Sequence, residues 1–336
     1  MILRFSFTLW MLIFTMPALS SAAEPPKVMV SIAPIHSLVS GVMRGITTPN
    51  LLIKGGISPH NAHLKPSQMR SLSQAEVIFW LGEEAEGFLE HPLENASDNQ
   101  RIVKILDLPK LLLLPLRSGG IWEGRNHSAS DGHEHTAEHP ENIDSHIWLD
   151  PFNAKVIAQA VADTLSEIDT KRADQYQENA KRLIYRLENL HLEIGDVAVA
   201  AINKPYIVFH DAYQYFEYRY NLKAAGSVTL NPDRKPGARR LREIQQKLQE
   251  TNAHCIFSEP QFPSSHLKIL IGEDQYYSGT LDPIGIDIPP GPDMYFILMR
   301  RLVSDFVGCL CQIYIGDELK EEEPAPAPAP APAPEE

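Results

Sequence analysis

The longest run of regular hydrophobic spacing lies in the middle of the chain. Ala173, Tyr176, Ala180, Leu183, Leu187, Leu190, Ile194 and Val197 recur in three- and four-residue steps among charged neighbours. That spacing predicts one amphipathic helix with a single apolar face. Continued to about Ala201 it would hold about 30 residues and, at about 1.5 Å each, span roughly 45 Å, enough to cross a small domain. Gly195 near its end costs about 1 kcal/mol relative to alanine and is a candidate bend. Such a helix reads as a stiff brace between two lobes, which leaves room for only small movements between them.

On both sides of the brace the pattern alternates between short β-rich runs and helical stretches. Residues 27–32, 51–54 and 76–81 are predicted strands, with helices ending near Met43 and over 67–74; another helix is expected over 153–168. Beyond the brace, strands are predicted at 206–209, 253–257 and 276–281, with helices over 239–249 and from Tyr295 to about Cys311. Alternation of this kind predicts an α/β fold of two parallel-sheet lobes flanked by helices, with binding residues on loops after the carboxyl ends of the strands. The expected division is an N-terminal lobe over 24–168, a linking helix over 169–202, a C-terminal lobe over 203–314, and an acidic, Pro-Ala tail over 315–336. The tail reads as a solvated, extended spacer.

Composition narrows the compartment and the partners. Arg4, an apolar stretch over 5–19 and the small residues Ser21-Ala22-Ala23 read as an export signal cleaved near Ala23. Removing 1–23 takes away one arginine and no acid, so the net charge of −13 becomes −14. An acidic exported chain has no electrostatic case for nucleic acid or an anionic membrane surface. Three cysteines, Cys255, Cys309 and Cys311, suggest one disulfide and one spare thiol in an oxidising compartment. If the end of the chain is helical, Cys309 and Cys311 face different ways, so only one of them can meet Cys255.

The histidines carry the chemistry. His127, His133, His135 and His139 are interleaved with Asp131, Glu134 and Glu138 in a polar stretch, 125–142, that cannot bury a core. It reads as a loop able to collect divalent metal weakly. Just beyond it, His146 stands among Ile147, Trp148 and Leu149, a setting that holds a ring in one orientation. His60 and His210 likewise fall on loops after predicted strands, and Asp282 takes the equivalent place late in the second half. Three imidazoles and one carboxylate form a tetrahedral set of the type Zn²⁺ prefers, whereas nitrogen-rich ligation disfavours Ca²⁺ and Mg²⁺. From the residues alone, a loop histidine bonded to backbone is an equal alternative at each position. His36, His91, His191, His254 and His266 read as surface or satisfied core residues, and Trp148, Tyr213 and Phe216 as packing that dries the site.

The segments GGISPHNAHLKPSQ, SHIWLDPFNA, VFHDAYQYF, NPDRKPGARRL, SEPQF and GTLDPIG together resemble the ZnuA-type zinc-binding proteins, periplasmic components of ABC importers in a cluster that also serves manganese. The likeness covers about Val28 to Cys309. It implies two α/β lobes joined by a long rigid helix, with Zn²⁺ held in the cleft between them by His60, His146, His210 and Asp282. Histidine at position 210, where manganese-type members carry glutamate, implies the zinc type. It further implies a disulfide between Cys255 and Cys309, with Cys311 as an extra. The implied partner is an inner-membrane permease with its cytoplasmic ATPase, and a monomeric, non-enzymatic receptor is expected. Departures are Pro59, where some members carry glutamate, which leaves Asp282 or a water to fill the fourth position, and Asn61 and Ala62 in place of the usual aspartate and tyrosine; His63, which follows, could substitute as a ligand or support one, and a surface role is favoured for it. A manganese receptor or adhesin of the same fold is the nearest alternative. A zinc hydrolase is a further one, opposed by the lack of an HExxH sequence or an evident general base.

Overall fold

The structure, a computed structural model, describes residues 24–117, 143–229, 237–253, 255–262 and 277–311. The expected export signal, the histidine-rich stretch 125–142 and the tail 315–336 lie outside the described residues. Strands β1 (Val28–Val30), β2 (Asn50–Leu51), β3 (Val77–Trp80) and β4 (Arg101–Lys104) form one sheet, ordered β2-β1-β3-β4, with every pair parallel. Strands β5 (Tyr206–His210), β6 (Ala224–Thr229), β7 (Cys255–Ser258) and β8 (Tyr277–Thr280) form a second parallel sheet, ordered β6-β5-β7-β8. The inner strands β1, β3 and β5 are buried at every position. Helices cover both faces of such sheets, which is why these strands read as unbroken apolar runs and not as alternation.

Two strands escape the sequence pattern, β4 and β6, and both are edge strands. The RIVK of β4 is exposed or half-buried throughout, and the AAGSVT of β6 has one large apolar side chain. β4 needs little apolar content because part of it faces solvent, whereas β6 is buried over 226–229 through small and polar residues, so the hydrophobic signal is weak in both.

Helix α1 (Ala33–Val42) follows β1, and α2 (Pro66–Ser73), α3 (Glu83–Glu86) and α4 (Glu90–Glu94) complete the first lobe. Helix α5 (Pro151–Ile168) leads into α6 (Ala173–Ala198), the 26-residue brace. The second lobe adds α7 (Gln214–Tyr220), α8 (Ala238–Thr251) and α9 (Met294–Leu310). The brace buries Tyr176, Ala180, Leu183, Leu187, Leu190, Ile194 and Ala198, and packs on α1 and α5 as well as on α9. It therefore shares one apolar stripe between the two lobes. Val197, expected in that stripe, is 41 % exposed. The period of 3.6 residues carries the face on from Ile194 to Ala198 instead.

The helix runs on through Gly195, and a Cβ built there meets nothing within 4 Å. Gly195→Ala is therefore expected to stabilise the protein by about 0.5–1 kcal/mol, by restricting the unfolded chain without any clash. A urea titration would show a raised midpoint at unchanged slope; a lowered midpoint would mean that the helix needs the glycine.

Further ties cross between the lobes. Tyr295 Oη donates to the Trp148 carbonyl at 2.7 Å, and Trp148 Nε1 donates to the Pro283 carbonyl at 2.8 Å. Within the second lobe, a disulfide joins Cys255 of β7 to Cys309 of α9, Cα to Cα 6.1 Å. Cys311 is the free thiol, within 3.2 Å of both Lys204 Nζ and the Ala200 carbonyl. Among the described residues no helix is long and apolar enough to cross a membrane.

Candidate metal centre

Three imidazoles meet where the carboxyl ends of the two sheets face each other. His60 is the middle residue of a 3-10 turn, Pro59–Asn61, on the connection after β2; Ser58 caps that turn, its Oγ accepting the His60 N–H at 3.4 Å. Gly55 and Gly56, both left-handed at φ 78° and 74°, redirect the chain into this connection. A Cβ on Gly56 would lie 3.1 Å from the side chain of Ile286, so the His60 connection passes close to a loop of the other lobe. His146 immediately precedes the 3-10 turn Ile147–Leu149 that runs into α5. His210 is the last residue of β5.

The rings converge through one type of nitrogen. His60 Nε2 lies 3.4 Å from His146 Nε2, which lies 3.3 Å from His210 Nε2, and the three ligand atoms all fall within 4.8 Å of one another. The opposite nitrogens of two rings are taken by buried carboxylates. His146 Nδ1 is 2.7 Å from Asp144 Oδ1, and His210 Nδ1 is 2.6 Å from Glu259 Oε1. A carboxylate accepts, so each Nδ1 carries the proton and each Nε2 presents its lone pair to the centre. Lone pairs aimed at each other across 3.3 Å repel unless a cation lies between them. Ligands about 2.0–2.1 Å from a tetrahedral ion sit about 3.3–3.4 Å apart. The two nitrogen separations fit that edge.

Charge around the cluster has the same sense. The second oxygens of Asp144 and Glu259 are buried and meet no hydrogen-bond donor in good geometry among the described residues, which leaves negative potential behind two of the rings. Burial, with His146 and His210 nearby, holds the His60 pKa well below its usual value. At His210 burial also favours the neutral ring, yet the charge and hydrogen bond of Glu259, helped by Asp211 and Asp144, outweigh it and raise the pKa. Trp148, Phe262, Pro283 and Ile284 wall the pocket, with the Trp148 ring centroid 5.2 Å from that of His146.

The sequence-derived ligands do not all come together. His60, His146 and His210 form the cluster, but Asp282 is not part of it. Asp282 Oδ1 accepts from Gln261 Nε2 (2.6 Å), Ile284 N (3.0 Å) and Gly285 N (2.9 Å), while Oδ2 accepts from Ile286 N (2.7 Å). The strand order explains its place: β7 lies between β5 and β8, so Glu259, after β7, is the acidic residue beside His210. His127, His133, His135, His139, His254 and His266 lie outside the described residues. His63 is exposed. His36 is a satisfied core residue, its Nε2 3.0 Å from the Pro49 carbonyl; His91 pairs with Glu94 at the surface, and His191 packs on Phe152 and Tyr220. Asp144 and Glu259 carry the site without having been singled out in the sequence. Their signals, an acid two residues before His146 and an acid ending a β-rich run, are too common to stand out.

Two helix-covered parallel lobes, braced by a shared helix and closed on a three-histidine cluster, define a two-lobed solute-binding protein with a metal centre. The family described as ZnuA, zinc-uptake complex component A, periplasmic, matches residues 28–309. The high-affinity zinc uptake system protein ZnuA of Brucella abortus is 39 % identical over 312 residues, covering 87 % of this chain and 93 % of that protein. Its counterpart in Yersinia pestis is 34 % identical over 298 residues, covering 87 % and 92 %. Among solved structures, a crystal structure of ZnuA superposes with a TM-score of 0.70 at 23 % identity, covering 85 % of this chain and 99 % of that one. The chain belongs to the ZnuA family, a family of periplasmic solute-binding components and not of enzymes.

Proposed function

We propose that this protein is the high-affinity zinc receptor of a periplasmic ABC uptake system, exported with loss of 1–23 and working as a monomer. It captures Zn²⁺ and hands it to an inner-membrane permease driven by a cytoplasmic ATPase. The observation that carries the reading is the set of converging Nε2 lone pairs, with Nδ1 of His146 and His210 held by buried carboxylates. Carboxylate–histidine pairs of this kind fix ring orientation and raise ligand basicity. His60, His146 and His210 are the proposed ligands, and their neutral nitrogens favour zinc over the harder, oxygen-seeking cations. The segment with His127, His133, His135 and His139 is assigned weak zinc capture upstream of this centre. The division into lobes 24–168 and 203–314 around a linking helix 169–202 goes with this reading, supported by each sheet drawing all its strands from one side of the helix.

Zinc and manganese offered together to the folded protein test the assignment. Retention of zinc in excess of manganese is expected, and preferential manganese would leave the fold standing but overturn the cargo. The fourth position is tested by Asp282→Asn. With four hydrogen bonds already on its carboxylate, Asp282 serves the 282–286 turn, and the variant is expected to lose no more than about tenfold in zinc affinity, the low end of what an outer partner costs. A loss equal to that of a histidine ligand would make Asp282 the fourth ligand.

A further inference from the structure

One guanidinium outside the cluster bonds the acid that follows His210 in the chain and lies three residues past a backbone segment that holds Asp144. Arg117 Nε lies 3.1 and 2.9 Å from the two oxygens of Asp211, Nη2 also bonds Asp211, and Nη1 donates to Glu217 Oε2 at 2.6 Å. Asp211 directly follows His210, at the end of β5. Glu217 Oε1 accepts from the hydroxyl of Tyr206 at 2.9 Å, at the start of the same strand. Arg117 thus reaches β5 just past its end through Asp211 and, indirectly through Glu217, at its start; both acids are buried, their side chains 4 % exposed.

The backbone beside Arg117 supports the second histidine. Pro115 bridges Ile143, and the Leu114 carbonyl accepts from Asp144 N at 2.9 Å. Tyr215 Oη, from α7 of the other lobe, donates to the Asp144 carbonyl at 2.7 Å and accepts from Leu114 N at 3.0 Å. Asp144 in turn holds the Nδ1 of His146.

We propose that Arg117 is a positioning residue for metal capture. It couples the segment bearing Asp144 and His146 to the strand that delivers His210, keeping two ligands from opposite lobes in register. The proposal rests on the cluster being the zinc site. Arginine suits the task because its planar fork bonds two carboxylates at once, which a lysine ammonium cannot copy. Without it, Asp211 and Glu217 would be two neighbouring buried acids deprived of the Arg117 counter-charge, one of them directly after a ligand.

The test compares wild type, Arg117→Gln and Arg117→Lys in three measurements: zinc dissociation into a chelator, the visible d–d spectrum of the Co²⁺-loaded protein, and the thermal midpoint of the metal-free protein. In Arg117→Gln zinc is expected to bind about 10- to 100-fold more weakly, the cost of losing an outer support, with an altered cobalt spectrum. Arg117→Lys should recover part of both. A lowered midpoint with wild-type dissociation and spectrum would make Arg117 a structural clamp only and overturn the proposal. If Arg117→Gln does not fold, the neutral triple variant Arg117→Met, Asp211→Asn, Glu217→Gln removes the buried charges at similar volume. Wild-type zinc affinity in that variant would equally overturn it. Failure of the wild type itself to bind zinc would instead sink the reading of the cluster.

Discussion

Replacing His210 with alanine is expected to abolish tight zinc retention. The ring supplies one of three converging nitrogens, 3.3 Å from that of His146, and no other described histidine stands within reach to replace it. Loss of a mere outer partner costs about 10–100-fold in metal affinity, so loss of a ligand should cost at least about 100-fold. The variant also strips Glu259 of its ring partner, leaving a buried carboxylate whose bond to His210 N, at 3.3 Å, is long. Some destabilisation of the metal-free protein is therefore expected alongside. Competition against a chelator of known affinity, on protein shown to be folded by circular dichroism, reads the result. Zinc binding indifferent to the substitution would remove His210 from the ligand set.

Acidification should weaken zinc binding by a comparable amount. Zinc needs the lone pair on each ring, so protons compete with it. His210 protonates well before His60: Glu259, Asp211 and Asp144 together outweigh burial and hold the His210 pKa above the ordinary value, while burial and the two neighbouring rings hold that of His60 well below. Affinity should therefore begin to fall while the pH is still above the ordinary histidine value, approaching about tenfold per pH unit for one displaced proton once the pH is below the raised His210 pKa. Over two such units that amounts to about 100-fold.

The metal-free fold responds with two signs. The His210 contribution is fully present below the unfolded pKa and is lost as pH rises through the raised folded one. The His60 contribution is present above the unfolded pKa and is lost as pH falls through the depressed one. Calorimetric zinc titrations across this range check the first expectation directly. In Glu259→Gln the fall should move to lower pH, since the amide cannot favour the charged ring. A profile that stays flat down to about pH 5.5 would mean that imidazoles do not hold the ion.

Much of the architecture is legible in the chain because the signals are local. The brace shows itself through Tyr176, Ala180, Leu183, Leu187, Leu190 and Ile194, six buried positions of the eight read at helical spacing, and β1, β3 and β5 through short apolar runs bounded by turn residues. The edge strands β4 and β6 are not legible in this way, since β4 is partly exposed and β6 is buried through small and polar residues. Of the site, His60, His146 and His210 can be picked out because each sits at a break between an apolar run and a turn, within motifs that resemble one family throughout. The acid beside His210 is a different matter. Asp282 and Glu259 both follow predicted strands, and nothing local distinguishes them.

Residue types and their spacing alone determine that the chain is α/β, that a long helix spans it, and that histidines and not carboxylates dominate its candidate ligands. Those are consequences of periodicity and side-chain chemistry, which act over a few residues. Which acid backs which ring was decided only by the tertiary structure. The order β6-β5-β7-β8 sets β7 beside β5 and puts Glu259 against His210, while Asp282, one strand further out, is drawn into its own turn by three backbone amides. Arg117 and Asp211 likewise meet across 94 positions. Pairings over such distances depend on strand order and on how the lobes pack, and no local pattern encodes either.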